Sequence, residues 1–274
     1  MATSSGVTCA LVYPPLSDPT CGYHSLSYLA AAVRERGRHE ISVIDANIEA
    51  VRWCARAPHV RGLQAGLEQR LHQFARAGCP DLRAFLAYRD ALVGTLVTPD
   101  EVESAVAVLR DPVRFWRAEE YRRAATTLER WLLLLATSGE PGMFRHFSTA
   151  NIELQSPVFL TDAAQLERLG APFRSYFQES LIPKLAASSV DVVGIGVTYR
   201  PQLPFALYLV GSFEDRLPIE IRVIDQLREV VERSKAEFTL VLVDMMETQV
   251  QQEIFVAQDP YVVAAEPDAA RAVP

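Results

Sequence analysis

The sequence predicts an α/β fold, a parallel β-sheet interrupted after its second strand by a large helical insertion. Three observations predict it. Cys9 to Tyr13 is an unbroken apolar run, the mark of a strand buried on both faces. Strand, helix and strand patterns follow one another within the first 45 residues. That rhythm breaks from residue 48 to residue 187 and resumes at Asp191.

The first strand spans residues 8–13 and is stopped by Pro14 and Pro15, which cannot donate to a ladder. Leu26, Leu29, Ala30 and Val33 then recur at helical spacing, and Gly37 is placed to end that helix. Ile41 to Ile44 reads as the second strand, closed by Asp45-Ala46-Asn47. A right-handed crossover is expected of this βαβ opening.

Residues 48–187 read as helical. Thr98-Pro99-Asp100-Glu101 has an N-cap threonine, proline at the first helical position and glutamate at the third, a capping box. Val102, Ala105, Val106 and Leu109 share one face of the helix it starts. A second helix carries Tyr121, Ala124, Ala125, Leu128, Trp131, Leu132 and Leu135 on its apolar stripe, with Arg122, Arg123 and Arg130 on the solvated side. Residues 137–160, with Gly139, Pro141, Gly142 and Pro157, read as an irregular loop, and 162–187 as one more helix.

The α/β rhythm returns with a buried strand at 191–197, then a helix from Leu203 to Leu217 in which Gly211 is a weak spot. A strand at 219–224, a helix at 226–236, a strand at 238–243, a short helix at 248–257 and a last strand at 261–264 complete the pattern. Residues 1–47 and 188–274 thus form the sheet domain and 48–187 the insertion. One continuous sheet is expected from 8–13, 41–45, 191–198, 219–224 and 238–243.

Composition narrows the function. The 27 basic and 34 acidic residues leave a net charge of −7, which argues against a nucleic-acid binder. No apolar run is long enough to span a membrane, and the N-terminus lacks a secretory signal, so a cytoplasmic protein is expected. Cys9, Cys21, Cys54 and Cys79 form no C-x-x-C and are read as reduced thiols. The scattered histidines His24, His39, His59, His72 and His146 make no zinc motif. There is no G-x-S-x-G elbow, and Gly194-Ile195-Gly196 lies inside a strand, where close approach of a backbone or ligand suits it better than a phosphate loop.

In open parallel sheets ligands sit beyond the carboxyl ends of the strands. Those ends carry Pro14, Pro15 and Leu16, then Asp45 and Asn47, then Thr198, Tyr199 and Gln202. Gly22 and His24 follow the first strand and complete the candidate binding site. Asp45 and Asn47 read equally well as caps of the following helix, and a histidine near a helix start is more often simply exposed.

Tyr13-Pro14-Pro15-Leu16, Gly22 to Leu29, Val43 to Glu49 and Asp191 to Leu203 together resemble the N-terminal domain of cobalamin-binding radical SAM proteins. Leu109 to Phe115 resembles the helical insertion of the branch that modifies ribosomally made peptides. The resemblance covers roughly residues 8–210. It implies a Rossmann-like (flavodoxin-like) domain with cobalamin over the carboxyl edge of the sheet, acting with a separate radical SAM enzyme in secondary metabolism. The D-x-H-x-x-G motif that ligates cobalt is missing, as it often is in members of this type. The C-x-x-x-C-x-x-C motif is missing too, so no iron–sulfur cluster is expected and the chain is not expected to be catalytic alone. From about residue 211 the chain departs from the family, with Asp225-Gln226 where a glycine pair is usual. Residues 205–274 are also similar, more loosely, to thioredoxin-like modules of the circadian-clock KaiB type. The alternative is therefore a non-catalytic protein-interaction module that has lost cofactor and barrel.

Overall fold

The computed structural model describes residues 8–19, 24–35, 40–146, 149–150, 160, 162–188, 190–213 and 240–244. Strand β1 (Thr8–Tyr13) leads through helix α1 (Ser25–Glu35) to β2 (Glu40–Asp45). The insertion opens with α2 (Ala46–Cys54), α3 (Ala57–Gln64), α4 (Leu67–Ala77), α5 (Leu82–Gly94), α6 (Pro99–Arg110) and α7 (Ala118–Ala136). A small antiparallel pair, β3 (Phe144–His146) and β4 (Thr149–Ala150), and helix α8 (Ala163–Gly170) follow. The chain then winds through α9 (Arg174–Tyr176), a π-helical stretch (Phe177–Leu181) and α10 (Ile182–Ala187). It re-enters the sheet at β5 (Val192–Val197), continues into α11 (Leu203–Gly211), and is described again at β6 (Leu240–Asp244).

One four-stranded parallel sheet results, in the order β2-β1-β5-β6. Thr8 to Tyr13 pair with Glu40 to Asp45, Cys9 to Val12 with Val192 to Ile195, and Val193 to Val197 with Leu240 to Asp244. The fold is α/β and Rossmann-like, with the helical insertion after its second strand. The expected strand at 219–224, the helices at 226–236 and 248–257, the last strand and the stop at Gly37 lie outside the described residues.

The sheet has two unlike faces. Ala10, Val12, Ile44, Val193, Ile195 and Val197 point into a large core shared with the insertion. Leu11 and Tyr13 point the other way, against Leu26 and Ala30 of α1. Gly194 and Gly196 alternate onto this second face. A Cβ at Gly196 would come within 2.6 Å of Leu26 Cδ2, so at Gly196 the close neighbour is a leucine side chain of α1 rather than the backbone or ligand expected there.

Thr98 starts α6 with both halves of its capping box in place. Trp131, Leu128 and Leu132 of α7 are buried, and Arg122, Arg123 and Arg130 are exposed. Three elements differ from expectation. The stretch expected to be only loop contains the β3–β4 pair. The single helix expected over 162–187 is broken at Ala171–Phe173, a 3₁₀ turn holding Pro172, because proline has no N–H for the helical ladder. Helix α11 stops at Gly211 rather than Leu217, where the Ser212 N–H and hydroxyl both donate to Tyr208 O. Leu207 to Val210 lie within this helix. Pro204 to Val210 are buried on every side, as suits a helix that is apolar all round.

Candidate functional site

In the order β2-β1-β5-β6 the chain leaves β1 toward one side of the sheet, and β5 joins β1 on the other. The carboxyl ends of β1 and β5 therefore flank the point where the winding reverses, the place where open α/β sheets form a ligand crevice. The predicted site residues of both loops meet here.

Their side chains divide into two kinds. Gln202 and Asn47 are fastened. Gln202, fully buried, accepts from the Thr198 and Tyr199 N–H groups, each at 2.9 Å, and donates to Pro14 O at 2.7 Å. One amide thus ties the β1 loop to the β5 loop. Asn47 does the same between β2 and β1, accepting from Ser17 N at 3.0 Å and donating to Ser17 O at 3.1 Å. Asp45 accepts from Ile48 N at 2.9 Å and caps α2, the plainer of the two readings of that residue. Burial raises the Asp45 carboxyl above its ordinary range, against the opposing pull of the Ile48 and Asn47 N–H groups. Pro14, Pro15 and Leu16 are buried, and Leu16 belongs to the insertion core.

Thr198 and Tyr199 are partly exposed and His24 is exposed. Gly22 lies outside the described residues. Ser17, which carries no motif, was not singled out from sequence. It is 2% exposed, and its hydroxyl has no hydrogen-bond partner. A buried hydroxyl without a partner costs stability unless something supplies one. Ser17-Asp18-Pro19 reads only as a turn, and its burial comes from long-range folding that local sequence does not encode.

A second concavity, an open groove of about 500 Å³, lies between α2, α6 and the α9–α10 segment. Glu49, Arg52, Trp53 and Arg56 face it from α2 and the turn after it, and Glu103 and Arg110 from α6. The spacing 49, 52, 53, 56 is a polar face at helical period, a signal that sequence reading passed over in favour of apolar stripes.

Two of the thiols are held in the protonated form. Burial pushes Cys54 up to about 12 and Cys9 to about 11. Among the described residues no His, Cys, Asp and Glu groups are arranged to hold a metal ion, and no helix is long and apolar enough to cross a membrane. Comparison with known proteins returns no matching family model, no matching curated protein and no matching solved structure.

Proposed function

We propose that this chain is a cobalamin-domain-like protein that binds a corrinoid at the β1–β5 crevice. In this reading it serves a separate radical SAM enzyme in the modification of a secondary metabolite or peptide. The observation that carries the reading is the convergence of the β1 and β5 loops at the reversal point of the sheet. The residues there fit such a group in one respect. A corrinoid presents many amides over a wide edge, and the unpartnered Ser17 hydroxyl and the partly exposed Thr198 offer polar partners along it. His24 is the nearest imidazole on the first loop, and no cobalt ligand is assigned. When bound, the corrinoid supplies methyl-transfer chemistry. The chain's own residues position it, with Gln202 and Asn47 holding the loops rigid.

A protein-interaction module without cofactor is the second reading. It is favoured by the burial of Pro14 to Ser17 and by the full use of the Gln202 and Asn47 amides within the fold. Titrating hydroxocobalamin into the protein, followed by visible absorbance, separates the two. Saturable binding that weakens about tenfold or more in Thr198→Arg is expected, since a bulky cation would occupy the crevice. No binding by wild type, or equal affinity in both proteins, removes the corrinoid reading and leaves the interaction module.

A further inference from the structure

The groove between α2 and α6 contains both acidic and basic side chains, but they are not equally available. Glu49 accepts from the Tyr176 hydroxyl at 3.0 Å and from Lys184 Nζ at 2.7 Å. Glu103 accepts from the Ala57 N–H at 2.6 Å, closing the turn before α3. Both carboxylates are therefore engaged by the protein itself. Arg56 lies over the Trp53 ring at 3.6 Å from its centroid and donates to Trp53 O at 3.2 Å, which fixes that guanidinium against the wall. Arg52 and Arg110 are exposed and make no hydrogen bond or ion pair among the described residues. The Trp53 Nε1 donor is buried with no acceptor among the described residues. Among its described residues the groove thus offers two free guanidiniums, a third held over an indole, and no free carboxylate.

We infer that this groove binds a small, multiply charged oxyanion, a phosphate ester or a polycarboxylate, with Arg52 and Arg110 as its principal ligands. Guanidinium presents a planar fork of donors that matches phosphate and carboxylate oxygens in pairs, and such charge-assisted bonds are about twice as strong as neutral ones. The volume falls within the ordinary range for small-molecule sites. Local charge matters the more because the chain as a whole is acidic, with a net charge of −7. Trp53, Tyr176 and Val106 supply the apolar part of the wall, which suits a ligand with a compact carbon or aromatic body beside its charges.

Isothermal titration calorimetry with inorganic pyrophosphate and with citrate tests the assignment on the full chain. The variants are Arg52→Ala with Arg110→Ala, and a charge-matched control, Arg122→Ala with Arg123→Ala, on the solvated face of α7. At least one probe is expected to bind saturably. Its affinity is expected to fall about tenfold or more in the groove variant and to stay within about twofold in the control. Preference for pyrophosphate identifies a phosphate ester, and preference for citrate a polycarboxylate. Absence of saturable binding by both probes, or an equal loss in the two double variants, overturns the assignment. Because Thr198 is not part of this groove, corrinoid titration of the Thr198→Arg variant and oxyanion titration of the arginine variants fail independently.

Discussion

The two faces of the sheet are held by different means. The face toward the insertion meets a continuous apolar body in which Phe144, Phe173 and Phe205 pack ring against ring, Phe173 and Phe205 edge-on with centroids 5.2 Å apart. Among the described residues, the face toward α1 meets that helix alone, whose buried contribution is Leu26 and Ala30, while Tyr28 on the same helix is 75% exposed. Ion pairing follows the same division. Every ion pair among the described residues joins two groups between Glu49 and Lys184, within the insertion. Among the described residues the larger apolar body and these ion pairs thus lie on the insertion side, with the parallel sheet laid against it.

Three variants break or sharpen this contrast. Phe205→Ala, removing a ring from the core that the sheet shares with the insertion, is expected to lower stability by about 3–5 kcal/mol in chemical denaturation. Leu26→Ala on the opposite face is expected to cost about 2 kcal/mol, at the low end for a buried leucine, because the cluster around it is small. Equal losses in the two variants would abolish the distinction between the faces.

The smallest effect concerns Glu140, which joins Arg83 of α5 at 2.9 Å and Arg168 of α8 at 3.1 Å. Burial alone would push this carboxyl up, but the two guanidiniums outweigh burial and hold it below its usual value of 4.5. A carboxyl depressed in the folded state stabilises the fold fully above that usual value, and the contribution is lost as pH falls through the depressed one. The double variant Arg83→Gln, Arg168→Gln is therefore expected to melt lower than wild type near neutral pH. The gap between their melting temperatures should narrow as the solution is acidified below about 4.5. A gap that is constant with pH would show that the arginines act by packing alone.

Much of the fold was legible because its signals are local. The apolar run ending at Tyr13-Pro14-Pro15, the capping box at Thr98 and the stripe of α7 each lie within a few turns of chain, and each formed as read. What failed to show depends on distant partners. Helix α11 reads as continuing to Leu217, yet Ser212 turns back onto Tyr208. The strand pair β3–β4 is too short for periodicity to register. At the candidate site the sequence identified which loops converge, since strand order follows from the βαβ rhythm. It did not reveal what those residues do there. That Gln202 and Asn47 spend both ends of their amides on backbone, while Ser17 is left without a partner, depends on contacts across 30 residues in one case and 188 in the other. Residue type alone does not distinguish a ligand-binding amide from a loop-tying one.

The pairing of β1 with β5 has a further consequence, for the order in which the molecule assembles. Thr8 and Asp191 are exchanged across the start of that pairing, with Asp191 N donating to Thr8 O at 2.8 Å and Thr8 N donating to the Asp191 carboxylate, also at 2.8 Å. These partners are 183 residues apart in the chain. Closing so long a loop in a flexible chain is entropically costly before any contact rewards it. The insertion between them is built largely from neighbours in sequence, α5 and α6 against α7 foremost. Once those helices have collapsed, the ends of β2 and β5 are no longer joined by a free coil but by a compact body, and the effective length of the loop is short. Collapse of the helical segment before the strands pair would therefore lower the entropic cost of registering β1 against β5.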